Sequence, residues 1–296
     1  MRRALITLLC ALLAGLTACS STPKPQAAPP TERQSLDRSA RLAFAQGQYA
    51  QAATLYEAAL EQALAEDAPA AIIDTRFNLA LCKTYLGQYD AALTQVAQAE
   101  AERSRRSLPD DPELQLLAGT IHYRAGESGR AKEILDGLLQ HSDVTGATRS
   151  KAHFVAGLVA ADDSVPGPLR AHIAAMPIDP GSTAQADRLE LEGRLAGIEG
   201  DTDRALQLLD QVVSLRGTAR DYRGMVRALA SAGALAERDG RLQAAGNYLL
   251  RAGRSAAQRG EPEARDWLTR AQSLGTQTRD DTLAGEAATI LKALDD

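Results

Sequence analysis

One stretch recurs along this chain and restricts its fold more than any other feature. Gly47-Gln-Tyr-Ala-Gln-Ala-Ala-Thr-Leu-Tyr-Glu-Ala-Ala-Leu60 is echoed by Gly87-Gln-Tyr-Asp-Ala-Ala-Leu93, and the same skeleton returns at Gly126, Gly200 and Gly240. An Ala stands five residues after each Gly (Ala52, Ala92, Ala131, Ala205, Ala245). Bulky or apolar residues stand nine and twelve after it: Tyr56/Ala59, Val96/Ala99, Leu135/Leu138, Leu209/Val212 and Leu249/Ala252. Seven residues before each Gly is a small residue: Ala40, Ala80, Gly119, Gly193 or Gly233. Offsets of five, nine and twelve differ by four and three, so these positions share one face of an α-helix. The Gly closes the preceding helix, where a left-handed residue suits a side chain without Cβ. Small residues on both helices are expected to let them approach closely, with the residues at nine and twelve reaching the next hairpin. Such a unit cannot bury its apolar face alone and must stack on its neighbours.

The turn residues 47, 87, 126, 200 and 240 are 40, 39, 74 and 40 apart. The long gap hides a degenerate unit, with Gly157 as the small residue, Ser164 at the turn and Leu169, Ile173 and Met176 at the three offsets. The fold expected is therefore all-α, a solenoid of about six to seven hairpins over residues 35–296, ending in a capping helix near 278–294. Helices are predicted at 35–46, 48–65, 69–86, 88–106, 111–125, 128–141, 145–162, 166–176, 184–199, 202–215, 219–239, 241–259 and 261–274. Pro69, Pro112, Pro166 and Pro180 fall at boundaries, where proline is tolerated.

A small residue, then Gly-x-Tyr, then Ala, then Tyr-Glu-x-Ala-Leu resembles the tetratricopeptide repeat (TPR), although the period exceeds that family's usual ~34 residues. The resemblance covers roughly Ser35 to Ala252. It implies a right-handed superhelix whose first helices line a concave groove that takes peptides or partner helices. Carried over by position, it puts Arg41, Phe44, Asn78, Tyr85, Tyr123, Arg124, Phe154 and Arg194 on that groove as partner-binding residues. The family's carboxylate clamp needs Lys and Asn where this chain has Phe77, Leu81, Leu116 and Thr120, which speaks against that mode of recognition.

The first residues read as a targeting segment. Met1-Arg-Arg is followed by an apolar run of 13 from Ala4 to Leu16, too short to span a membrane as a helix, and then by Leu16-Thr-Ala-Cys19. This ending resembles the bacterial lipobox. It implies a signal peptide over 1–18, lipidation (palmitate among the acyl chains) at Cys19, and, with Ser20 following, sorting to the outer membrane. Residues 19–34 hold the lipidated Cys and a proline-rich tether with four prolines. With Cys10 removed and Cys19 acylated, Cys82 is left without a partner, so the fold has to rest on packing.

Little in the chain suggests chemistry of its own. His122, His141, His153 and His172 lack metal-binding spacing, and no nucleophile motif occurs. Asp162-Asp163 and Asp280-Asp281 fall at helix ends, and Arg103, Arg105 and Arg106 close a helix whose dipole favours cations there. The formal net charge of -5, without a basic stripe, argues against nucleic acid. The sequence thus leads to a non-catalytic periplasmic scaffold or adaptor lipoprotein of the outer membrane. It is expected to bind protein partners of an envelope assembly of the pilus, secretin or outer-membrane biogenesis kind, without cofactor, metal or small-molecule substrate. The alternative is a regulator of a peptidoglycan synthase or hydrolase.

Overall fold

The structure, a computed structural model, describes residues 31–179 and 183–295. The signal segment, Cys19, most of the tether and Pro180 lie outside the described residues. Fourteen helices follow one another, with no strand among the described residues. They are α1 (Glu32–Ala45), α2 (Tyr49–Ala65), α3 (Pro69–Tyr85), α4 (Tyr89–Arg105), α5 (Pro112–Arg124), α6 (Ser128–Gln140) and α7 (Gly146–Asp162). Then come α8 (Pro166–Ala175), α9 (Thr183–Ile198), α10 (Thr202–Thr218), α11 (Tyr222–Arg238), α12 (Leu242–Ala257), α13 (Ala264–Thr278) and α14 (Asp281–Ala293). Each packs chiefly on the helices before and after it in sequence, as a solenoid requires. No described helix is long and apolar enough to cross a membrane.

The helices occur where the periodicity places them. α1 starts three residues earlier than expected because Thr31 and Gln34 form a capping box, each side chain bonding the other's backbone N–H. The repeat residues at minus seven, plus five, plus nine and plus twelve are buried in all six hairpins, the degenerate fourth included. Their pairing differs from the expectation in one respect. The hollow at the small position receives the large residue at plus nine of the same hairpin, rather than another small residue. A Cβ on Gly119 would meet Leu135 at 2.8 Å, one on Gly193 would meet Leu209 at 3.2 Å, and one on Gly233 would meet Leu249 at 2.8 Å. In the fourth hairpin the second helix, α8, has only 10 residues, and Gly157 instead faces Leu191 of the following hairpin.

The turns reveal a shorter unit. Left-handed residues stand at Gly47, Asp67, Gly87 and Ser107, and again at Gly200, Arg220, Gly240 and Gly260, twenty apart within each group. At each, the N–H of the next residue bonds the carbonyl five residues back, as in Gln48 to Ala43 (2.9 Å) and Ala68 to Ala63 (3.0 Å). This is the Schellman closure of a helix C-terminus. In these two groups the loops within hairpins and the loops between them are thus the same turn, and six of the fourteen helices share a 17-residue length. A 17-residue helix plus a three-residue turn is what stretches the hairpin period to 40.

Three glycine-to-alanine changes separate the forces at work, read as shifts in the thermal or urea midpoint. Gly137→Ala, at an exposed helical site with open space, is expected to stabilise by about 0.5–1 kcal/mol. Gly87→Ala, also with open space but at φ +72°, should lose about 1 kcal/mol from backbone strain alone. Gly233→Ala should lose about 1–3 kcal/mol by driving Leu249 from its hollow.

Candidate functional site

Because the stack curves, its alternate helices face inward. Residues of α3, α5, α7, α9 and α11, with Leu209 and Arg216 of α10 and Trp267 of α13, line a concave chamber of about 1430 Å³. Its two sides differ in chemistry. Phe77 and Leu81 of α3, Leu116 and Leu117 of α5 and Leu158 of α7 supply an apolar wall. The opposite floor, built by α7, α9, α10 and α11, is a network of charges.

Glu190 is at the centre of that floor and is fully buried. Arg227 grips its carboxylate with both Nε and Nη2 (2.6 and 2.9 Å), and Arg216 Nη2 reaches it at 2.7 Å. Arg216 also donates to Asp187 at 2.8 Å and to Asp221 at 2.5 Å. Lys151 completes the set, donating to Asp187 at 2.5 Å. Lys151, Arg216 and Arg227 all lie over the ring of Phe154, 5.0–5.6 Å from its centroid. Arg194 bonds Asp162 (2.6 Å) and Ser231 (3.0 Å), while Tyr123 donates its hydroxyl to the other oxygen of Asp162 (2.8 Å). Gly224 has no side chain because Arg216 and Asp221 occupy the space where its Cβ would be.

The electrostatics follow from burial and pairing together. Burial alone would raise the Glu190 carboxyl, but Arg227, Arg216 and Arg194 overcome it and hold the group at about 2. Burial would lower Arg216 and Arg227, yet Glu190 raises both. Burial pushes the Tyr123 phenol up, so it remains a donor. Glu190 is therefore a permanent anion saturated by guanidinium groups, a poor general base and a good anchor. Among the described residues no group of three His, Cys, Asp or Glu side chains could hold a metal.

Of the eight positions taken from the repeat pattern, Tyr85, Tyr123, Arg124, Phe154 and Arg194 line the chamber. Arg41, Phe44 and Asn78 do not. Arg41 belongs to the terminal helix and reaches back to Asp37 along its exposed face (2.9 Å). Phe44 packs edge-on against the stacked rings of Tyr49 and Tyr85. Asn78 donates to the Asp74 carbonyl of its own helix (2.8 Å). The charges that organise the floor, Lys151, Asp187, Glu190, Arg216 and Arg227, were not anticipated. Their one trace in the sequence is the acids Asp187 and Glu190 on the face of α9 that also carries buried Ala186 and Leu191. Two other expected groups are accounted for locally. Arg103 donates to the Pro109 carbonyl while Arg105 and Arg106 bind Glu102, which locks the α4–α5 turn. Cys82 is fully buried, and burial pushes its thiol up to about 12.

No family model and no curated protein sequence matches the chain. Solved structures do. A tetratricopeptide repeat protein from Parabacteroides merdae superposes with a TM-score of 0.50 at 15% identity, covering 89% of this chain and 99% of that one. A Rap protein complexed with competence and sporulation factor gives a TM-score of 0.60 at 11% identity, covering 89% and 76%. The apo form of the quorum sensor NprR from B. thuringiensis gives 0.53 at 8% identity, covering 89% and 87%. The fold is of the TPR type. The inward helices of this TPR-like superhelix are the first helices of its hairpins, in agreement with the resemblance in the sequence.

The Glu190 network makes stability depend on pH in a defined direction. Its folded pKa lies below the unfolded value, so its contribution is complete above about 4.5 and is lost as pH falls toward 2. That contribution is roughly 3 kcal/mol. Glu190→Gln, which leaves Arg216 and Arg227 short of their counter-charge, should cost about 3–5 kcal/mol at neutral pH. Urea titrations at pH 7 and pH 3 should find the gap between wild type and variant narrowed at the lower pH.

Proposed function

We propose that this protein is a non-catalytic scaffold that receives a segment of a partner protein in its concave chamber. The observation that carries this reading is the chamber itself. Its volume of about 1430 Å³ exceeds the ~300–1,000 Å³ of small-molecule pockets. One wall is apolar, the other offers guanidinium and hydroxyl donors, and Tyr and Arg are the side chains most often found at binding hot spots. The Rap protein was solved complexed with a competence and sporulation factor, so a fold of this type can serve a binding partner. A role without catalysis is supported by the floor's carboxylates, which are committed to arginines and a lysine.

The scaffold works, in this proposal, at the periplasmic face of the outer membrane, held by lipid on Cys19, with its partner a component of an envelope assembly. Support for the anchor comes from the basic start, the apolar run and Leu16-Thr-Ala-Cys19. At ~0.8 kcal/mol per buried methylene, two or more acyl chains would make attachment effectively permanent.

Three experiments test these statements separately. A photoreactive phenylalanine analogue at Tyr123, inside the chamber, should capture a defined partner that the same analogue at exposed Glu133 of α6 does not. Capture from Glu133 alone would refute the chamber reading, and turnover of peptidoglycan by the purified protein would refute the non-catalytic one. Labelled palmitate fed to the native host should enter the wild type and be lost in Cys19→Ser, together with membrane fractionation. An unmodified Cys19 thiol in the native protein would remove the anchor.

A further inference from the structure

The superhelix makes nearly one turn, and its first two hairpins come round to meet the sixth. The meeting point is built around one guanidinium, with a second beside it. Arg223, at the start of α11, donates Nη2 to the carbonyl of Tyr85, 138 residues away, at 2.6 Å. Its plane lies 4.4 Å from the centroid of the Tyr85 ring and 5.4 Å from that of Tyr49. Glu261, in the α12–α13 turn, holds its Nε at 2.9 Å and so fixes the direction in which it points. The receiving surface is equally ordered. Tyr49 and Tyr85 stack at 4.5 Å, and Phe44 meets both edge-on. Arg259 lies beside this contact, its guanidinium 4.1 Å from the Tyr222 ring and close against the Gly47 turn.

We infer that Arg223 and the Phe44–Tyr49–Tyr85 cluster form a latch that closes the chamber, and that admission of a partner segment proceeds through its release. Three features favour a latch over a permanent seam. No helix of the first two hairpins packs extensively along α11, α12 or α13, and the gap is bridged by the arginine side chains that reach across it. The bonds are of a kind that forms and breaks without disturbing a core, one charge-assisted hydrogen bond and cation–π contacts at the rim. In addition, Arg223, Tyr85 and Glu261 themselves line the chamber, so an incoming chain competes for the groups that hold it shut. Opening needs no hinge, because the curvature of a solenoid is the sum of small rotations at every interface, and a slight change at each separates the ends. The latch thus couples occupancy of the chamber to the shape of the whole superhelix.

The functional meaning of the latch rests on the chamber being the receiving site, but its existence is testable without any partner. Spin labels carried on p-acetylphenylalanine at positions 46 and 258, both exposed and on facing turns, leave the cysteines untouched. Distances measured by double electron–electron resonance in the full-length wild type should form one short, narrow distribution. Arg223→Ala should broaden it to longer values, raising the open-to-closed ratio roughly tenfold or more. Tyr49→Ala, on the opposite lip, should do the same, with helicity by circular dichroism unchanged in both. Folded variants that keep the wild-type distribution would refute the latch, as would a wild type already spread over long distances. The photocrosslinking outcome is independent of either result, so failure of the latch and failure of the chamber reading are distinguishable.

Discussion

Everything in this fold depends on where each helix stops. A left-handed residue, closed by the bond from the following N–H to the carbonyl five residues back, ends one helix and aims the next antiparallel to it. At 1.5 Å per residue, positions seven before and nine after the turn lie at roughly similar heights, about 10–13 Å from it. That is why Gly119 meets Leu135 and Gly233 meets Leu249. If a turn slipped by one residue, the large side chain would face a wall instead of a hollow. The packing of hairpin after hairpin therefore follows from a backbone event repeated at a constant interval, and the apolar pattern supplies the cohesion once the register is set.

A stack built this way transmits little between distant units, since each helix touches chiefly its neighbours. The chamber floor is one exception. Lys151 belongs to α7, Asp187 and Glu190 to α9, Arg216 to α10 and Arg227 to α11, so one network of charges ties together three hairpins. A buried ion network adds little stability over well-packed apolar residues, because desolvation offsets most of the attraction. Its geometric demands are strict, however. Arg227 meets both oxygens of Glu190 only at one relative rotation of α9 and α11. The network therefore acts as a gauge of local curvature, and the chamber's charged face keeps its arrangement through the directionality of these bonds.

How much of this could be read from the residues depends on how local each signal is. The helices were legible one by one, because an apolar face at offsets of three and four needs only a single segment to declare itself. The turns at Gly47, Gly87, Gly126, Gly200 and Gly240 were legible because glycine marks a positive φ. The equivalent turns at Asp67, Ser107 and Arg220 were not, because those residues adopt the same conformation without advertising it. This concealed the twenty-residue unit. For the site, Tyr85, Tyr123, Arg124, Phe154 and Arg194 followed from position in the repeat. Arg41, Phe44 and Asn78 had equivalent positions but were drawn elsewhere by Asp37, by two tyrosines and by a backbone carbonyl. The partners of Glu190 come 26 and 37 residues later, and the packing of α10 and α11 against α9 is what brings them to it.

The superhelical curvature explains why the most consequential contact in the chain was also the least legible. Tyr49 and Tyr89 occupy the same place in consecutive Gly-Gln-Tyr turns, and a reading by repeats treats them alike. Of the two, Tyr49 is the one that receives Arg223, because the first hairpins lie opposite the sixth after nearly a full turn. A repeat whose partner is its immediate neighbour can be understood from one period. A repeat whose partner is a whole turn away cannot, since its surroundings depend on the accumulated rotation of every interface between. Identity of sequence along a solenoid therefore does not imply identity of role, and the ends of the ring acquire chemistry that the middle units, built from the same pattern, do not have.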